Sequence, residues 1–144
     1  MNCALHFLSD ELAERPLFPV EPKDKLPGSE VDRQQAFRKL LRTIAPEVTS
    51  WAVPNAGKRG MGAIARAKRE GLRAGVHDEH YAWNNGIAFL EWKDGRGTLS
   101  QEQIDWGNAM VRRGFRVACV RTPEFAEQLF RDWGAPLIDR RGRL

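Results

Sequence analysis

Cysteine is almost missing from this chain. Two occur in 144 residues, Cys3 and Cys119, far apart and in no ligand-like spacing, which excludes a disulfide framework and a cysteine-based zinc motif. Cys119 sits inside the apolar run RVACV, so a buried free thiol and a reducing cytoplasm are expected. Long apolar runs are also missing. None approaches the ~20 residues that span a bilayer, so no membrane partner is expected. The N-terminus MNCALHFLSDELAERP has no basic lead and meets Asp10 and Glu11 early, unlike a secretory signal. Internal repeats and low-complexity tracts are absent as well, and histidine is scarce, with three in the chain.

What is present fits one globular domain. The length allows a real core, and a 42% hydrophobic fraction is ordinary for such a domain. Lys and Arg number 23 against 19 Asp and Glu, a net charge of +4. The excess is concentrated. Residues 56 to 74 hold Lys58, Arg59, Arg66, Lys68, Arg69 and Arg73 against Glu70 alone. That stretch reads either as a solvated helix face or as a surface for nucleic-acid phosphates.

Residues 1 to 28 read as a peripheral extension, with a short helical turn at 9 to 14 and then Pro16, Pro19, Pro22 and Pro27 breaking regular structure. Ser29 is a good N-cap for a helix in which Phe37, Leu41 and Ile44 recur at helical spacing until Pro46. TSWAV, 49 to 53, reads as a strand, and 61 to 70 as a helix with Gly71 at its C-terminal end. Residues 76 to 83 and 87 to 93 read as a hairpin around Asn84-Asn85-Gly86. Ser100 caps a helix running to about Gly114, 115 to 120 is a strand, and Thr122-Pro123 open a last helix to about Trp133. The tail, 135 to 144, is basic and expected to be loose. The order α-β-α-β-β-α-β-α predicts an α/β domain with a central mixed sheet flanked by helices.

The hairpin carries the chemistry. With Asn85-Gly86 as a two-residue turn, Asp78 falls opposite Lys93 and diagonal to Glu91, all three on one face with Ile87 and Phe89. A three-residue loop would destroy that parity. Two carboxylates this close repel unless a cation lies between them, and oxygen ligation suits Mg²⁺ or Mn²⁺. Such an ion polarises a phosphoryl oxygen, and a neighbouring lysine offsets developing charge. A cross-strand salt bridge is the plainer alternative. Glu30 lies on the same helical stripe as Gln34, Phe37, Leu41 and Ile44, so it is either a first-turn acid favoured by the helix dipole or a third carboxylate for the site. Gln103 shares a face with Trp106, Met110 and Val111; it is a capping-box partner for Ser100, a side chain reaching Lys93, or both. In GVHDEH, strand parity turns His77 and Glu79 away from Asp78 and keeps His80 on its side. The two histidine rings should then diverge, so no zinc site is expected.

Taken in order, these pieces resemble the VRR-NUC domain, the virus-type replication-repair nuclease branch of the PD-(D/E)XK superfamily. The matching residues are E-x-x-x-Q at Glu30 and Gln34; V-P-N-x-G at Val53 to Gly57, with Arg59 beyond; the basic helix; and G-x-x-x-G-V-x-D at Gly71 to Asp78. E-x-K at Glu91 to Lys93 and G-x-L-S-x-x-Q-x-x-W at Gly97 to Trp106 follow, then the valine-rich strand after Gly114. The match covers about 29 to 133 and divides the chain into an extension, 1 to 28, a nuclease-like domain, 29 to 134, and the tail. His77 and Glu79 depart from the family's usual proline and apolar residue on either side of the aspartate.

The resemblance implies a restriction-endonuclease-like fold and a Mg²⁺- or Mn²⁺-dependent DNA endonuclease. Asp78, Glu91 and the Trp92 carbonyl would hold the metal, Lys93 would be the catalytic lysine, and Glu30 and Gln103 accessory residues. Asn55, Lys58, Arg59, Arg66, Lys68, Arg69 and Arg73 would face DNA. Stand-alone members are associated with cleavage of branched DNA, such as flaps or Holliday junctions, as homodimers in bacterial or phage-infected cells; fused members act in DNA repair. The alternative is a catalytically silent DNA-binding module of the same fold.

Overall fold

The computed structural model describes residues 13–54 and 61–139. Four helices and four strands occur among them. They are α1 (Glu30–Ile44), β1 (Thr49–Ala52), α2 (Met61–Arg69), β2 (Glu79–Trp83), β3 (Gly86–Trp92), α3 (Gln101–Arg112), β4 (Arg116–Val120) and α4 (Pro123–Asp132). The expected α/β order is the observed one.

Local chemistry sets the helix starts. Ser29 and Asp32 form a capping box on α1, each side chain taking the other's backbone N–H, at 3.1 and 2.9 Å. Ser100 and Gln103 do the same on α3, and Thr122 with Pro123 opens α4. Each such cap stabilises its helix by about 1 kcal/mol.

The sheet runs β1-β2-β3-β4. The first three strands form an antiparallel meander, and α3 carries the chain across to β4, which lies parallel to β3. One face of the sheet packs on α1 and α4 through Phe37, Leu41, Tyr81, Leu90, Trp92 and Phe130. The other packs on α3 through Phe89, Val117 and Cys119, with Ile87, Trp106, Met110 and Val111 around them. The predicted apolar stripe of α1 is buried at Phe37, Leu41 and Ile44, and that of α3 packs half-buried on the sheet through Trp106, Met110 and Val111. Cys119 is a fully buried free thiol, as expected, and burial pushes it up to about 12.

The hairpin differs from expectation by one residue. Trp83 pairs with Gly86, so the two-residue turn is Asn84-Asn85. Asn85 is the single described non-glycine residue with positive φ, 63°. Gly86 is drawn into the strand because the Trp83 indole lies across it; a Cβ there would sit 2.2 Å from the ring. The loop length, and hence the parity, is unchanged. Facing pairs shift by two, so Asp78 lies opposite Glu91 rather than Lys93. β2 also begins three residues late, at Glu79, because the chain bends at Asp78.

The extension is not peripheral over 13–28. It runs as an extended strap along β4, with Glu21 N–H donating to the Cys119 carbonyl and Cys119 N–H to the Pro19 carbonyl, both 2.9 Å. Phe18 is buried in the α3-side core. The Glu21 carboxylate, also buried, takes the Thr122 hydroxyl and the backbone N–H groups of Arg121 and Thr122. Buried Arg33 spends all five N–H donors on the strap and on the Arg121 carbonyl just past β4, two of them on Asp24 at 2.8 Å. The start of the tail is docked too: Ile138 N–H donates to the Ile44 carbonyl and Leu137 packs against the core. The predicted turn at 9 to 14 lies largely outside the described residues, as do 140–144.

Candidate metal centre

Three elements converge on one point of the α3-side face. Glu30 comes from the first turn of α1, Asp78 from the bend before β2, and Glu91 from β3. One carboxylate oxygen from each lies within 4.8 Å of the other two. Asp78 and Glu91 also brace each other. Asp78 N–H donates to Glu91 Oε2 at 3.2 Å, and Trp92 N–H donates to Asp78 Oδ2 at 3.0 Å. The register thus fixes the two carboxylates through the partner strand's backbone.

Lys93, just past β3, places Nζ 3.3 Å from Glu91 Oε1. Gln103 donates to the same oxygen at 2.6 Å while its Oε1 accepts Ser100 N–H at 2.9 Å. Both expected roles of Gln103 therefore hold, with one correction: the side chain it reaches is Glu91, not Lys93. The Trp92 main chain borders the cluster through its N–H, while its indole is buried on the opposite face and donates to the Tyr81 hydroxyl at 3.2 Å.

The electrostatics follow from this crowding. Burial first, then the Asp78 carboxylate, push Glu91 up to about 8; Lys93 opposes the shift and Glu30 adds to it. Lys93 alone does not offset the crowding, so three carboxylates here carry full charge together only if further positive charge joins them. An all-oxygen donor set of this kind suits a hard divalent cation, Mg²⁺ or Mn²⁺.

The two histidines are placed differently from the parity argument. The bend at Asp78 takes His77 out of the strand pattern, so its ring meets Trp106 at 4.9 Å and Phe18 at 5.5 Å, on the α3 side. His77 Nε2 lies 2.9 Å from the Gln103 carbonyl, which only accepts, so that nitrogen carries the proton. Burial lowers the ring to about 4, keeping it neutral. His77 therefore anchors the first turn of α3, which carries Gln103. His80 does stay on the Asp78 side but is engaged by aromatic rings, stacked on Trp106 and edge-on to Phe89 and Trp51. Glu79 points to the opposite face, fully buried against Gln34 and Arg38.

Among the expected DNA-facing residues, Asn55, Lys58 and Arg59 lie outside the described residues. Lys68, Arg69 and Arg73 are exposed; Arg66 is exposed too but pairs with Glu70 at 2.9 Å. Arg73 borders a cavity with Glu102, Asp105 and Trp106 of α3, so the segment after α2 lies on the same side of the sheet as the carboxylates. The sequence reading missed the contact between Gln34 and Glu79. The E-x-x-x-Q spacing marked both Glu30 and Gln34, and the helix splits them, Glu30 to the cluster and Gln34 to the buried glutamate on the other face.

No protein-family model, curated protein or solved structure matches this chain. Among the described residues no helix is long and apolar enough to cross a membrane.

Proposed function

We propose that the chain is a divalent-metal-dependent DNA endonuclease of the VRR-NUC type, with a restriction-endonuclease-like core. The observation that carries this reading is the meeting of Glu30, Asp78 and Glu91 within 4.8 Å, with Lys93 beside Glu91. Four residues read from three separate motifs come together, and their types suit phosphodiester hydrolysis. Mg²⁺ or Mn²⁺, when bound, supplies a Lewis acid for a phosphoryl oxygen and activates water.

The chain's own residues would do the rest. Asp78, Glu91 and Glu30 would hold the cation, with the Trp92 carbonyl as the resemblance implies. The Lys93 ammonium, beside Glu91, would offset charge that grows on the attacked phosphate or its nucleophile. Gln103, fixed by the α3 cap and by His77 beneath it, keeps Glu91 Oε1 in place. Arg66, Lys68, Arg69 and Arg73 meet backbone phosphates, joined by Asn55, Lys58 and Arg59. The resemblance extends the reading to branched substrates and to a homodimer, whose two-fold axis would suit a symmetric junction.

Incubation with plasmid, flap and four-way-junction DNA in Mn²⁺ tests this. Cleavage by the parent and none by Asp78→Ala is expected. No cleavage of any substrate, or equal cleavage by Asp78→Ala, would sink it; salt-sensitive binding without cleavage in several metals would leave a silent binding module.

A further inference from the structure

A second feature lies beside the carboxylate cluster and belongs to the strap. The strap segment 23–28 and the loop after β3 enclose a cleft of about 550 Å³, lined by Lys23, Asp24, Lys25, Asp94 and Arg96 among others. Its walls are clasped together. Asp24 N–H donates to the Gly95 carbonyl at 3.1 Å, and the approach is so close that a Cβ on Gly95 would lie 2.4 Å from the Asp24 carbonyl oxygen. Two buried arginines hold the walls from behind, Arg33 through Asp24 and the carbonyls of Leu26 and Gly28, Arg121 through the Asp94 carbonyl.

The charges in this cleft are unequally used. Asp24 is bound by both terminal nitrogens of Arg33. Asp94 Oδ1 accepts the N–H groups of Arg96 and Gly97 at 2.8 and 2.6 Å. The side chains of Lys23, Lys25 and Arg96 are exposed and make no ion pair among the described residues. Arg33 offsets Asp24, while Lys23, Lys25 and Arg96 make no ion pair among the described residues, so cationic side chains outnumber carboxylates along the cleft.

Its position says which anion. One wall ends at Gly28, two residues before Glu30; the other begins at Asp94, one residue after Lys93. With ~3.8 Å between consecutive Cα atoms, the cleft opens within about 8 Å of the backbone that carries the cluster. Nucleic-acid strands place a phosphate every ~3.4 Å along the axis, so a strand seated at the cluster reaches the cleft within a few nucleotides.

We propose that Lys23, Lys25 and Arg96 form a phosphate cleft that seats the sugar–phosphate backbone flanking the cleaved bond. The strap is thereby part of the substrate surface, distinct from the basic stretch 58–73. This rests on the DNA reading above.

The test is binding of a fluorescein-labelled single strand to the full chain, followed by anisotropy across a salt series in EDTA, so that no cleavage occurs. Lys23→Ala/Lys25→Ala/Arg96→Ala is compared with Lys39→Ala/Arg42→Ala/Arg131→Ala, which removes equal charge from α1 and α4. Equal melting temperatures establish that all three proteins fold. The cleft variant should bind at least tenfold more weakly and lose about 2 from the slope of log K against log salt, at ~0.7 per contact. The control should stay within twofold of the parent. Unchanged binding by the cleft variant, with the parent binding, overturns the cleft alone. A parent that binds no DNA sinks the DNA reading with it. Inorganic phosphate or a mononucleotide holding the parent as tightly as the strand does would make this a small-anion site and overturn the strand assignment.

Discussion

Glu79 and Glu91 are buried glutamates on neighbouring strands, and the sheet handles them in opposite ways. Glu79 faces α1, where the Gln34 amide and the Arg38 guanidinium reach its Oε2. Burial raises it, and those donors pull it back. Glu91 faces α3, where one amide and one ammonium reach Oε1 and the Asp78 N–H reaches Oε2, while two further carboxylates crowd in. The first is a carboxylate set against an amide and a guanidinium. The second is a carboxylate pressed against its own kind, an arrangement that costs stability unless a cation beyond Lys93 joins it. The difference separates a glutamate that holds the structure from one that serves a site.

Glutamine substitution should break the comparison most visibly. Glu91→Gln keeps the shape and removes a charge from the cluster, so cleavage should fall by more than the ~10- to 100-fold lost with even an outer partner of a metal. The variant's melting temperature should match or exceed the parent's. Mn²⁺ at a hundred times its Kd should stabilise the parent by ~2.7 kcal/mol and the variant by much less. A melting temperature that ignores Mn²⁺ in the parent would remove the metal centre from the reading.

Glu79→Ala should do the reverse. It strands the Gln34 amide and Arg38, costing about 1–3 kcal/mol, while cleavage per folded molecule stays at the parent level. Chemical denaturation and a rate per folded molecule check the two halves separately. An activity loss as large as that of Glu91→Gln would erase the distinction.

Titration sharpens it further. Glu91 in the folded, metal-free protein titrates at about 8, above its unfolded value, so the folded state holds the extra proton between the two. Stability from this group is full below the ordinary glutamate range and is lost as pH rises towards 8, by at most ~1.4 kcal/mol per pH unit. His77 acts with the other sign. Its folded value of about 4 means stability is gained as pH rises from there to ~6.5. The window from ~6.5 to about 8 therefore separates Glu91 from His77, and comparison with Glu91→Gln separates it from Glu79, which burial also raises. Denaturation in EDTA should show stability falling across it in the parent and a flatter course in Glu91→Gln.

The smallest effect should come from Gln103→Glu. Glutamate also completes a capping box on Ser100, so α3 should hold within about 1 kcal/mol. The donor to Glu91 Oε1 is replaced by another acceptor, and cleavage should drop about tenfold. A loss of helix stability with intact cleavage would make Gln103 a cap alone.

Much of this was legible because it was local. Ser29, Ser100 and Thr122 announced the helix starts, and period-two alternation placed Ile87, Phe89 and Glu91 on one face whichever two-residue turn formed. The exact register was not legible. Asn84-Asn85-Gly86 offers two turns of equal length, and the choice falls to the Trp83 indole lying over Gly86. His77 escaped the parity rule because nothing in GVHDEH marks the bend at Asp78. The strap was hidden for a different reason. Its prolines argue against regular structure, while its partners are far along the chain: Arg33 meets the Arg121 carbonyl 88 positions away, and Glu21 meets Arg121 at 100.

The Asn84-Asn85 turn carries a consequence for how this chain can vary. Surface turns usually accept insertions and deletions freely. Here one added residue would flip β3 against β2, sending Glu91 towards α1 and leaving Asp78 without its partner. The two asparagines are exposed. Their number is nonetheless under the same constraint as the site six residues further on, so length at this turn should prove as invariant among active relatives as the carboxylates themselves, while the identity of Asn84 drifts.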